Sequence, residues 1–204
     1  LTDGGSFDQQ TKAKRLKKFM SGVFAQHEMY ELGKQVFKDA EIFGTGVIKT
    51  YEKDLKLSFD RVFPGEIFID EEEAFYGHPR QMFQEKFMAR EVVLELYPEF
   101  EGQILMAGKL LEKDRGQNNA SKVGDNISII EAWHLPSSEE AEDGRHVIVI
   151  EGATLFDEKW EKDHFPFSFI HYTPPVLGFW GTGLVDELVG IQVEMNKILR
   201  TIQQ

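Results

Sequence analysis

Six histidines, two acidic runs and one glycine-rich stretch are the parts of this chain whose residue types could do chemistry. His27, His78, His134, His146, His164 and His171 are scattered, and no two stand three or four apart on a helical pattern. The spacing that lets a helix offer two imidazoles to one metal ion is therefore absent. His134 beside Trp133 and His171 beside Tyr172 lie in strand patterns, where neighbours point to opposite faces, and are expected to fill satisfied structural positions. Asp70-Glu71-Glu72-Glu73 could offer oxygen ligands to Ca²⁺ or Mg²⁺. The run lacks the spaced ligands and central glycine of a calcium loop, however, and reads as a solvated edge. Paired-carboxylate hydrolysis would need members of this run, or of Glu139 to Asp143, to converge in a cleft with separated proton affinities. Both runs sit in turn-like sequence. Ser21-Gly22 lies inside a helical pattern and not at a strand-to-helix elbow, and the absence of Cys removes thiolate, disulfide and cysteine-ligated zinc chemistry. The expectation is a protein with no catalytic residue, no bound metal and no organic cofactor.

Gly178-Phe179-Trp180-Gly181-Thr182-Gly183 precedes a helix, and helix N-termini attract phosphates. No Lys-Ser/Thr pair follows these glycines, and their spacing is not that of a dinucleotide fingerprint. Gly178, Trp180, Gly181 and Gly183 are better read as a tight turn motif that aims the next helix.

The elements that must position these residues follow from hydrophobic periodicity. Between Thr11 and Ala40, apolar residues from Leu16 to Phe37 recur at three- and four-residue steps, predicting one helix or a kinked pair with Gly22 and Gly33 as weak points. The basic cluster Lys12, Lys14, Arg15, Lys17 and Lys18 reads as a solvated outer face. After Gly44-Thr45-Gly46, strands are predicted at 47–52 and 55–62 around a turn at Lys53-Asp54, and at 66–70 after Pro64-Gly65. A strand at 81–88 and two short helices, 90–97 and 100–113, broken at Pro98, come next. Residues 114–126 read as an exposed polar loop between an N-terminal part, 1–113, and a C-terminal part, 127–204. Strands 127–135 and 145–150 should form a wide hairpin, and 154–156 should pair with 167–173. Thr182 is placed to cap the last helix, in which Leu184, Leu188, Ile191, Met195, Ile198 and Ile202 make a heptad-like seam that requires a partner helix of the same or a neighbouring chain. The fold class is α+β: antiparallel strands with long flanking helices.

With 41% apolar and 12% aromatic residues the chain can bury a core. Its formal charge of −12 and pI near 5.0 disfavour a general binder of phosphate backbones. No apolar run approaches the roughly 20 residues of a membrane span, so a soluble chain is expected. A first residue other than Met and a last helical pattern without a cap suggest a segment of a longer protein.

One family resemblance emerges. His171-Tyr172-Thr173-Pro174-Pro175, the glycine turn and the helix with Gln192, Glu194, Asn196 and Lys197 resemble the wing region of the portal, or head-to-tail connector, proteins of tailed double-stranded DNA bacteriophages. There a strand leads into a Tyr/Phe-Gly-x-Gly/Ser turn and then a Leu-, Gln- and Asn-rich helix. The segment from Val62 to Asp70, following a hairpin that begins at Gly44-Thr45-Gly46-Val47-Ile48-Lys49, is similar to another part of that wing. The resemblance implies a structural, non-enzymatic subunit of a homo-oligomeric ring, commonly twelve-fold, at a capsid vertex. Double-stranded DNA would pass through it without sequence-specific binding. The packaging terminase, tail adaptor and capsid proteins would be its partners, and the virion its location, after assembly in the host cytoplasm. A complete portal is longer, so the chain would be a wing-like fragment. Two other classes stand beside it: a carboxylate-dependent hydrolase domain, and a module that binds a protein through the last helix.

Overall fold

The computed structural model describes residues 5–53, 55–107, 125–138 and 141–203. Ser6 starts the first helix, α1 (Phe7–Gln26), with a capping box: its hydroxyl accepts from the Gln9 N–H, while its own N–H donates to Gln9 Oε1 at 2.9 Å. A second helix, α2 (Met29–Phe43), follows after Glu28, whose φ of 47° breaks the path. Gly22 and Gly33, the expected weak points, both lie inside helices. A glycine costs a helix only about 1 kcal/mol relative to alanine. The break falls instead where Phe24 and His27 turn their rings onto Phe59, with centroids 6.3 and 5.4 Å apart. At the far end Gly44, with φ 81°, stops α2 as predicted.

The chain divides into two compact units, Leu1–Pro64 with Pro166–Pro175 and Trp180–Gln204, and Gly65–Phe165 with Val176–Phe179. This boundary differs from the 1–113, 114–126 and 127–204 partition, because strands on either side of the polar stretch pair directly with one another. Residues 108–124, which include most of that stretch and the end of the helix expected at 100–113, lie outside the described residues.

Unit 1 holds a three-stranded antiparallel sheet, β1 (Thr45–Lys53), β2 (Lys56–Val62) and β8 (Phe167–His171), with β1 in the centre. Thr45 pairs with His171, and Val47 with Phe169 on one side and Val62 on the other. Val36 and Ala40 of α2 lie wholly buried beside Val47 and Val62, the pattern of a helix that covers one sheet face with a single stripe. The last helix of the unit, α5 (Leu184–Gln203), has no buried residue.

Unit 2 is a five-stranded antiparallel sheet in the order β3 (Ile67–Ile69), β4 (Gln81–Ala89), β5 (Asn126–His134), β6 (Arg145–Ile150) and β7 (Ala153–Lys159). The strand expected at 66–70 is shorter, because a 3₁₀ turn takes Pro64–Glu66. Two short helices, α3 (Arg90–Leu96) and α4 (Glu101–Met106), are separated by a 3₁₀ turn at Pro98–Phe100, so the break at Pro98 holds. Val93, Ile104 and Ala107 pack with Ile127, Ile129, Ile150 and Leu155. Arg90 ties this cap down: it grips Asp125 through both Nε and Nη2, at 2.7 and 2.8 Å, and Nη1 donates to the carbonyls of Ile104 and Ala107.

The expected pairing of 154–156 with 167–173 does not form. Residues 153–159 hydrogen-bond to β6, and Phe167–His171 to β1 in the other sheet. Two backbone bonds redirect the chain between them: Trp160 N–H donates to Gly144 O at 3.0 Å, and Pro166 O accepts from Thr50 N–H at 2.7 Å. The fold class is nonetheless α+β with antiparallel sheets. No helix among the described residues is long and apolar enough to cross a membrane.

Candidate functional site

The end of the glycine turn, Trp180 to Gly183, and the last helix form one site in unit 1, built where Gly181 and Gly183 cross Gly44. A Cβ at Gly44 would stand 2.0 Å from Gly181 O, and one at Gly181 would stand 2.5 Å from Gly44 O. One at Gly183 would meet Glu41 O, Gly44 N and Ile42 O, all within 2.9 Å, and one at Gly46 would meet Val36 O at 2.1 Å. Only glycine permits backbones this close. The turn therefore exists to press the start of α5 against the end of α2.

Thr45, fully buried between the first two of these glycines, locks the crossing. Its hydroxyl accepts from the Gly181 N–H at 2.9 Å and meets His171 Nδ1 at 3.0 Å. Burial pushes the His171 imidazole below its ordinary pKa, which favours the neutral ring beside this hydroxyl. His171 has the structural role expected of it. The backbones of Thr173 and Thr182 then form a two-bond bridge, and Thr173 Oγ1 donates to Glu187 Oε1 at 3.0 Å. In the first turn of α5, Asp186 accepts from the Gly183 N–H at 3.3 Å, and Thr182, expected as the cap, stands two residues before Leu184 with its backbone paired to Thr173. Gly178, with φ 87°, belongs to unit 2, where its N–H donates to Phe75 O at 2.8 Å. The four-residue motif thus divides between the units.

From this anchor α5 extends with its seam uncovered. Leu188, Ile191, Met195, Ile198 and Ile202 are exposed, Ile191 by 60% and Ile202 by 75%, and Leu184 is half-buried. Val185, Val189, Val193 and Leu199 are exposed as well. Of the two expected partners, a helix of the same chain or of a neighbouring one, the first does not bury the seam among the described residues.

The carboxylate runs hold backbone. Asp70 Oδ1 accepts from the N–H groups of Glu72 and Glu73, and Glu73 Oε2 from those of Arg80 and Gln81, all between 2.9 and 3.1 Å. Asp143 accepts from the Ser137 N–H and hydroxyl, and the Ser137 hydroxyl bond leads the effects that hold its carboxyl below the usual range. Glu139 and Glu140 lie outside the described residues.

Two polar arrangements carried no sequence signal. Asp39 is buried in α2, where Arg61 of β2 meets it with two 2.5 Å bonds. In unit 2, His146 stacks on Trp133 with centroids 5.2 Å apart, and its ring nitrogens stand 2.9 Å from Glu131 and from Glu158. Burial alone would lower its pKa, but hydrogen bonds to the two carboxylates raise it above the ordinary value. These contacts join β5, β6 and β7, and no sequence spacing encodes them. His134 departs from the satisfied role expected: its Nδ1 is buried with no hydrogen-bond partner among the described residues.

No protein-family model and no curated protein matches the chain.

Proposed function

We propose that this chain is a structural, non-catalytic subunit of a ring, corresponding to the wing of a bacteriophage portal through which double-stranded DNA is packaged and ejected. The observation that carries this reading is α5. Its ten apolar residues from Leu184 to Ile202 include none that is buried, on a helix fixed at its start by a glycine crossing. An apolar surface of that length is seldom left in water by a monomer, and a helix apolar on several sides is normally enclosed by neighbours. The occupation of Asp70, Glu73 and Asp143 by backbone donors supports a structural role, and the acidic balance suits a wall past which phosphates slide. Terminase, tail adaptor and capsid proteins are the partners this reading assigns, in the virion and in the host cytoplasm during assembly.

Sedimentation and negative-stain microscopy test it directly. Closed rings are expected for the wild-type chain. Ile191→Asp should keep the circular-dichroism spectrum of the wild type, because Ile191 is exposed, yet lose the rings. A chain that stays monomeric at every concentration overturns the proposal.

A further inference from the structure

Charge is divided between the two units. Unit 2 contains 23 Asp and Glu against 10 Lys and Arg, whereas unit 1 contains 12 against 13. The cations of unit 1 concentrate on α1, where Lys12, Lys14, Arg15, Lys17 and Lys18 accompany a single acid, Asp8. None of the five forms an ion pair among the described residues. At about 100° per residue, Lys14, Arg15, Lys17 and Lys18 spread over the side opposite a stripe of Leu16, Phe19, Met20 and Val23. No residue of α1 is buried, and Leu16 and Phe19 are each exposed by at least 60%.

The outer surface of α3 and α4 is its counterpart. Glu91 and Glu95 share one stripe of α3, and Val92 and Leu96 the adjacent one; all four are exposed. Glu99, Glu101, Leu105 and Met106 extend the same mixture, again exposed, and none of these carboxylates forms an ion pair among the described residues.

We propose that α1 of one copy docks on the α3–α4 surface of a second copy, its cations against Glu91, Glu95, Glu99 and Glu101 and its stripe against Val92 and Leu96. A nucleic acid would satisfy the cations but leave Leu16 and Phe19 without an apolar surface to cover them. An anionic membrane would accept both faces of α1 while repelling the acidic unit 2. The α3–α4 surface of another copy supplies both charge and apolar area. Because the two surfaces differ, the contact is head-to-tail, the type that propagates into rings when its rotation closes. The inference rests on the reading that copies of this chain assemble, and it adds a contact distinct from the α5 seam.

A charge-swap experiment on the whole chain tests it. Lys14→Glu with Arg15→Glu and Lys18→Glu, and separately Glu91→Lys with Glu95→Lys and Glu99→Lys, should each weaken self-association measured by sedimentation by at least roughly tenfold. Both should keep wild-type circular dichroism, since every changed residue is exposed. An equimolar mixture restores opposite charges across each contact and should recover wild-type association. Wild-type association of either variant alone, or a mixture that recovers nothing, overturns the α1 contact and leaves the ring reading standing. So does an α1 variant that loses only binding to a DNA duplex or to anionic vesicles. A wild-type chain that never associates overturns both.

Discussion

Unit 2 encloses its own core, whereas unit 1 leaves most of its helical surface open. Of the seventeen buried apolar residues described, twelve belong to unit 2, Trp133, Met82, Ile104 and Ile127 among the largest; unit 1 contributes Val36, Ala40, Val47, Val62 and Phe167. A five-stranded sheet capped by α3 and α4 buries side chains in bulk. The three-stranded sheet of unit 1 relies instead on backbone contact at its glycine crossing and on the half-buried pair of Asp39 and Arg61. Stability in unit 2 should therefore respond to lost side-chain volume, and in unit 1 to any atom added where the backbones meet.

The strongest way to break that contrast is Gly44→Ala. The new methyl group would lie 2.0 Å from Gly181 O at a φ of 81°, so the crossing must open. A loss above about 4 kcal/mol is expected, at the upper end for single substitutions, and hydrogen exchange should show α5 and β8 losing protection first. Gly102→Ala, with nothing near its Cβ, is the control and should change stability little. Equal effects of the two would refute the crossing as the anchor of α5.

Trp133→Ala is next, at about 3–5 kcal/mol for a large buried aromatic. Amides of β4 to β7 should lose protection while those of β1 and β2 keep theirs. Equal loss in both sheets would show that the units unfold as one.

Arg61→Leu sharpens the comparison from the other side. It strands the Asp39 carboxylate, 3% exposed, without its partner. Breaking a buried pair costs about 3–5 kcal/mol, but the Arg61 side chain is 45% exposed and water screens its half, so a loss of about 2 kcal/mol is expected. Denaturant titration of Arg61→Leu beside Asp39→Asn/Arg61→Leu measures it: the double variant should recover part of the loss, because no charge is left buried.

The smallest effect is the pH dependence, and its sign differs between the units. His146 has a raised pKa in the folded state, so its contribution is complete below the unfolded value near 6.5 and is lost as pH rises through the native value. His171 has a lowered pKa, so its contribution is complete above about 6.5 and is lost as pH falls through the native value. His146→Gln should flatten the fall in stability above neutrality, and His171→Gln the fall on acidification. Changes of the opposite sign would overturn the assigned environments.

The sequence by itself determined the elements whose signals are local. Hydrophobic period and turn chemistry sufficed for the helices at both ends, the stop at Gly44, the break at Pro98, most strand boundaries and the α+β class. They sufficed also to read Gly181 and Gly183 as a tight turn that aims the last helix, but the close backbone approach that requires glycine there came only from the structure. Only the tertiary structure decided which strands share a sheet, that Gly44 faces Gly181 and Gly183 while Gly46 faces Val36, and that Asp39 meets Arg61 and His146 meets Glu131 and Glu158. Each depends on residues far apart in the chain, or on adjacent strands whose register sets the contact, and a single sequence holds no record of such pairs. The α5 seam shows the same division: its heptad spacing declares an apolar face, but the structure alone shows that nothing described in its own chain covers it.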